Sequence, residues 1–156
     1  MSRMQKIGLI AFVMLIGIQL IQPARNSNGQ VPSTEIFSII PTNAKVQVLV
    51  KTACYDCHSN NTNYPWYANI QPMGWLLASH IKDGKADLNF SDFGGYSERR
   101  QQSKLKSIAS QVRDDVMPLW SYSLLHQKAR LTSEQKSMII AWALNARDSL
   151  AENKLK

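Results

Sequence analysis

Outside one stretch near its N-terminus, the 156-residue chain has no long apolar run, and it contains only two cysteines, three histidines and seven glycines. Only Gly94 and Gly95 are adjacent among so few glycines, so no glycine-rich phosphate-binding loop is present, and neither a nucleophile motif nor an internal repeat appears. A single cysteine pair excludes a four-thiolate zinc site and leaves only His80 and His126 to complete a mixed one around Cys54, Cys57 and His58. Acids are outnumbered, with 11 Asp and Glu against 18 Lys and Arg, a net charge of +7. The basic residues are scattered rather than clustered, so nucleic acid is excluded as a partner, and the surplus suits a solvated surface or the steering of an acidic redox partner.

What is present is concentrated in five residues, Cys54-Tyr55-Asp56-Cys57-His58, which hold both cysteines of the chain. C-x-x-C-H is the spacing of covalent c-type haem attachment. Each thiol adds across one vinyl group, and the histidine beside the second thiol is placed to bind the iron. A redox disulfide would share the C-x-x-C spacing, yet no β-rich run of a thioredoxin-like unit precedes Cys54. A structural disulfide of an exported protein shares it too. Neither alternative requires the histidine.

Residues 1–6 carry Arg3 and Lys6 without an acid, and residues 7–21 (IGLIAFVMLIGIQLI) are apolar apart from Gln19. This is the pattern of a secretory signal or of an N-terminal membrane anchor. Ile21-Gln22-Pro23-Ala24-Arg25 offers no small-residue cleavage site, which favours an uncleaved single-pass transmembrane helix over a soluble periplasmic product. As a helix the uncharged stretch reaches about 27 Å, close to the ~30 Å of a hydrocarbon core. Arg3 and Lys6 then stay inside, and everything after Arg25 faces the periplasm. Export and the C-x-x-C-H motif agree, because haem is attached outside the bacterial cytoplasm.

The expected organisation is an anchor or signal segment at 1–24, a polar linker at 25–34 (RNSNGQVPST) and one domain at 35–156. Within the domain a helix is expected from about Asn43 into the motif, then a polar loop at 59–64 and a short helix at 73–82 stopped by Gly84. Residues 87–95 read as irregular. Leu105, Ile108, Val112 and Val116 predict an amphipathic helix over 97–116. Thr132 and Gln135 form a capping box for a last helix through Met138, Ile139, Trp142, Ala143 and Ala146. The fold class is all-α, short helices packed around one covalently attached haem.

Iron bound by His58 keeps a second axial position. Met117 is the first candidate, because Pro118 should end the preceding helix in an extended turn that points the thioether at the iron. His80 is the alternative and His126 a third. A carbonyl near Pro65, within 63–66, is the expected acceptor for the other N–H of His58. Trp66, Tyr67, Trp75 and Trp120 are candidates to pack on the haem.

Cys54-Tyr55-Asp56-Cys57-His58-Ser59-Asn60, then Tyr64-Pro65-Trp66-Tyr67, His80-Ile81, Leu88-Asn89-Phe90-Ser91, Met117-Pro118-Leu119 and Leu124-Leu125-His126 recur in an order that resembles the bacterial haem-binding domain family of small monohaem cytochromes. The resemblance covers about 31–147, and the exit Pro23-Ala24-Arg25-Asn26 from the apolar segment is also similar. It implies a cytochrome c-like fold with thioethers at Cys54 and Cys57 and iron bound by His58. The Met-Pro pair before the last helix resembles the distal-ligand loop of class I cytochromes c, which carries over to Met117 and Pro118. The expected function is a tethered periplasmic carrier of single electrons with one haem c and periplasmic redox partners, not an enzyme. A peroxidase-associated enzyme or a haem-based sensor, with an exchangeable sixth position, is the alternative.

Overall fold

A computed structural model describes residues 1–152 of the chain. Among these, eight α-helices form and no strand: α1 (Arg3–Gln19), α2 (Ile36–Ile39), α3 (Ala44–Ala53), α4 (Tyr55–His58), α5 (Met73–Asp87), α6 (Glu98–Arg113), α7 (Trp120–Leu125) and α8 (Ser133–Glu152). The all-helical class expected from the sequence is the one observed.

α3 begins where Asn43 caps it, its Oδ1 accepting from Val46 N at 2.9 Å. Its β-branched residues could equally have made a strand, and burial shows which period holds. Val46 and Val50 are buried while Val48 is 62% exposed, a four-residue period; alternation would have put all three on one face. The long pair α6 and α8 closes the core, with Leu105, Ile108 and Val112 set against Ile139, Trp142 and Ala143. α8 starts in the expected capping box: Thr132 N donates to Gln135 Oε1 at 2.8 Å and Gln135 N to Thr132 Oγ1 at 3.2 Å. The irregular segment between α5 and α6 contributes Phe90 and Phe93, 1% and 0% exposed, to the same core.

Three boundaries differ from the sequence expectation. α6 stops at Arg113, not at residue 116, and Val116 is half exposed. The chain turns through Asp115 at φ 57°, and both Val116 N and Met117 N donate to Gln111 O, at 3.0 and 3.1 Å. That left-handed turn ends the helix before the proline does. α5 runs through Gly84 to Asp87, because Gly84 is needed for close approach: a Cβ there would lie 2.8 Å from Cys57 O.

The third difference lies in the stretch read as a linker. Asn26 Nδ2 donates to Ser59 O at 2.8 Å and to Thr62 Oγ1 at 2.9 Å, and Lys85 Nζ donates to Asn26 Oδ1 at 2.6 Å. Ser27 pairs with Asn61 in an isolated antiparallel bridge. Residues 26–29 are thus fastened to the loop after the motif. The expected transmembrane helix is not matched either: no helix among the described residues is long and apolar enough to cross a membrane. α1 has 17 residues, none of them buried, and ends where Gln19 turns its side chain to residue 71.

Candidate functional site: a cleft behind the C-x-x-C-H turn

Cys54 breaks the helix between α3 and α4, with φ −127° and ψ −33°. The next turn is drawn back onto it, His58 N donating to Cys54 O at 3.0 Å. Cys54, Cys57 and His58 therefore sit three and four residues apart on one helical side. Asp56, between the thiols, holds the turn: its Oδ1 accepts from Asn63 N at 3.0 Å and its Oδ2 from Tyr122 OH at 2.6 Å. Burial and then that hydrogen bond push the Tyr122 hydroxyl well above the usual tyrosine range.

The His58 ring is fixed from behind. Nδ1–H donates to Leu88 O at 3.0 Å, and Phe90 N donates to His58 O at 2.7 Å. Nε2 is left as the free lone pair, the arrangement of a metal-binding imidazole. The acceptor is Leu88 and not the 63–66 stretch, where Pro65 O accepts from Ala68 N at 3.1 Å and Trp66 O from Asn69 Nδ2 at 3.3 Å within the 3₁₀ turn at Trp66–Asn69.

Two cavities, of about 100 and 280 Å³, adjoin this turn and share Ala53, Cys54, His58, Asp87, Met117 and Pro118 as lining. The smaller runs along α6, past Phe90, Ile108 and Gln111; the larger runs along α5, past Cys57, His80 and Gly84. Met117 lies on both, held there by the turn at Asp115, whereas His80 lies on one. His126 lies outside: its Nε2 is 2.7 Å from Tyr67 OH and its ring stacks on Tyr122 at 4.1 Å. Trp66 and Trp120 are 77% and 78% exposed, and neither they nor Tyr67 and Trp75 line the two cavities. The expected aromatic contacts are replaced by Phe90 and Tyr122, and a polar edge of Lys104, Ser107 and Gln111 went unseen. Leu88 and Phe90 fall within Leu88-Asn89-Phe90-Ser91, one of the segments that carry the family resemblance; Lys104 and Gln111 have no signal beyond helical spacing.

The donor set suits haem and not the competing cofactors. Among the described residues no group of three or more His, Cys, Asp or Glu side chains could hold a bare metal ion. Burial, and then the neighbouring Cys57, pushes the Cys54 thiol up to about 12; burial and then Asp56 push Cys57 up to about 11. Both shifts run opposite to the lowered values of redox C-x-x-C pairs. The cleft also holds an orphan, Gln111 Oε1, the buried side-chain oxygen without a hydrogen-bond partner among the described residues. A largely apolar slot lined by both thiols, an imidazole and a thioether, with a polar edge, fits a haem.

No curated protein and no solved structure matches the chain. A family model described as a haem-binding domain matches residues 13–145, most of its length and all of the cleft. The chain is a member of the haem-binding domain family.

Proposed function

We propose that the protein is a monohaem c-type cytochrome that carries single electrons on the periplasmic side of a bacterial inner membrane. Cys54 and Cys57 would hold the haem through thioethers, and His58 Nε2 and the Met117 sulfur would bind its iron. The observation that carries this reading is the pairing of walls: His58, its Nδ1 taken by Leu88 O, shares both cavities with Met117. Iron held between an imidazole and a thioether supplies one-electron chemistry at a raised potential.

The chain's own residues do the rest. Leu88 O fixes the imidazole plane, and the α6 C-terminal turn presents Met117. Phe90, Ile108 and Val112 keep water from the inner lobe. Lys104, the one Lys or Arg among the residues lining the cleft, is paired with Asp87 at 2.7 Å, and from that edge it would, with Ser107 and Gln111, meet the carboxylates. His126 is engaged by Tyr67 outside the cleft, so an enzyme would have to draw its distal acid–base group from His80, which lines the larger cavity. α1 supports a membrane location: from Arg3 to Gly17 its side chains are exposed and no core covers them.

The test is the visible spectrum of the haem-loaded protein, oxidised and reduced, beside Met117→Ala. A low-spin spectrum whose sulfur-to-iron charge-transfer band disappears in the variant is expected. An unchanged spectrum would assign the ligand to His80, and a high-spin wild type would overturn the electron-carrier reading.

A further inference from the structure

We infer that the domain lies on the bilayer surface, through an uncharged apolar face formed by residues 66–76 and α7, and is not held away from it. The inference rests on the membrane reading of α1. Gln19, at the end of α1, is clasped on both sides by residue 71: Gln19 Nε2 donates to Gln71 O at 3.2 Å and Gln71 N to Gln19 Oε1 at 2.9 Å. Two further bonds follow, Gln22 Nε2 to Asn69 O at 3.2 Å and Trp75 Nε1 to Ile21 O at 2.8 Å. With α1 in lipid, these bonds keep residues 69–75 at the level where α1 leaves it, whatever its tilt. Arg25 sits at the same foot, its guanidinium donating to Asn69 Oδ1 and lying 4.2 Å from the Tyr64 ring centroid, which adds a further tie between the exit of α1 and this segment.

The face at that foot has the composition of a membrane interface. Neither 64–79 nor 116–125 carries an Asp, Glu, Lys or Arg, in a chain that is 19% charged. Trp66, Leu76, Trp120 and Leu125 are 77%, 49%, 78% and 53% exposed. The two segments are continuous, for Met73 and Leu76 share a shallow groove with Ser121 and Leu125. Tryptophan and aliphatic side chains beside an apolar helix, with charge only at the edge, fit lipid headgroups and upper acyl chains. A protein partner steered by charge would find none on this face.

The experiment uses the full haem-loaded chain in phosphatidylcholine and phosphatidylglycerol vesicles whose acyl chains carry a photoactivatable diazirine, with peptides mapped after irradiation. Label is expected in α1, in 66–76 and in 120–125, and not at Val31 or Val48, which are 77% and 62% exposed elsewhere. Trp120→Asp should lower the label in 66–76 several-fold and leave that in α1 unchanged. Label confined to α1 would overturn the inference while sparing the membrane reading, and would leave the face free for a protein partner. Equal label at Val31 and Val48 would also overturn it. An unlabelled α1 would overturn both.

Discussion

Replacing Gly84 by alanine gives opposite signs for two readings of that residue. A glycine inside an unconstrained helix is less stable than alanine by about 1 kcal/mol, so Gly84→Ala should then stabilise the protein by that amount. In the structure the added Cβ would lie 2.8 Å from Cys57 O and 3.3 Å from both Cys57 C and Cβ. None of these atoms is the tip of a flexible side chain, so relief requires α5 and the attachment turn to move apart. Overpacking of this kind costs about 1–3 kcal/mol, which outweighs the propensity gain and leaves a net loss of about 1 kcal/mol. For a chain of this size that lowers Tm by roughly 2–4 °C. Urea unfolding of the haem-loaded protein reads the change, with the slope expected to stay constant. Because the displaced atoms belong to Cys57, the visible spectrum should shift as well. Stabilisation of about 1 kcal/mol with an unchanged spectrum would refute the contact as the reason for the glycine.

Asn26→Ala removes two donors and an acceptor that tie the exit of α1 to the loop after the motif, and is expected to cost roughly 1–3 kcal/mol by urea unfolding; a neutral result would restore a free linker. Tyr122→Phe bears on alkaline stability. The folded hydroxyl holds its proton more tightly than the unfolded one, so its contribution is complete below pH ~10 and is lost as the pH rises above it. The urea midpoint should fall between pH 9 and 11 in the wild type and fall less in the variant; parallel curves would remove Tyr122 as a source. Lys104→Gln removes the cleft's lysine and should lower the midpoint potential in a redox titration, since a positive charge favours the reduced form. The exposed Lys106→Gln on the same helix should change it far less, and equal shifts would argue against a place for Lys104 at the carboxylates.

Much of the fold was legible because its signals are local. The capping box at Thr132 and Gln135 needs only four residues and forms as expected, and the helix expected from about Asn43 begins there, with Asn43 as its cap. The attachment turn was legible for the same reason, since Cys54, Cys57 and His58 share one turn of helix. What the sequence hid was pairing at a distance. The carbonyl behind His58 comes from a residue thirty positions on, and nothing in Leu88 marks its backbone oxygen as the acceptor. Gly84 was read as a helix stop because a glycine's freedom is visible in sequence, whereas the Cys57 carbonyl it must clear is not. Val116 fitted the apolar period of α6, but a left-handed Asp115 ended the helix first.

These hidden pairings share one consequence, that the cleft is assembled around segments bound to one another by backbone groups. Phe90 N on His58 O, Leu88 O on the His58 ring and Gln111 O under both Val116 N and Met117 N hold the segments that line the cleft, and the Tyr122 hydroxyl on Asp56 adds a side-chain bond between the attachment turn and α7. Substituting the side chains of Leu88 or Gln111 therefore leaves those carbonyls in place, while changing the path of the chain at Asp115 or Gly84 does not. Asp115→Pro is incompatible with a φ of 57°, and it should shift Met117 away from His58. The spectrum of that variant should lose the sulfur-to-iron band as completely as Met117→Ala does, although no ligand has been changed. Retention of the band would show that Met117 finds its position without the turn, and the distal wall would then owe its place to Pro118 and α7 instead.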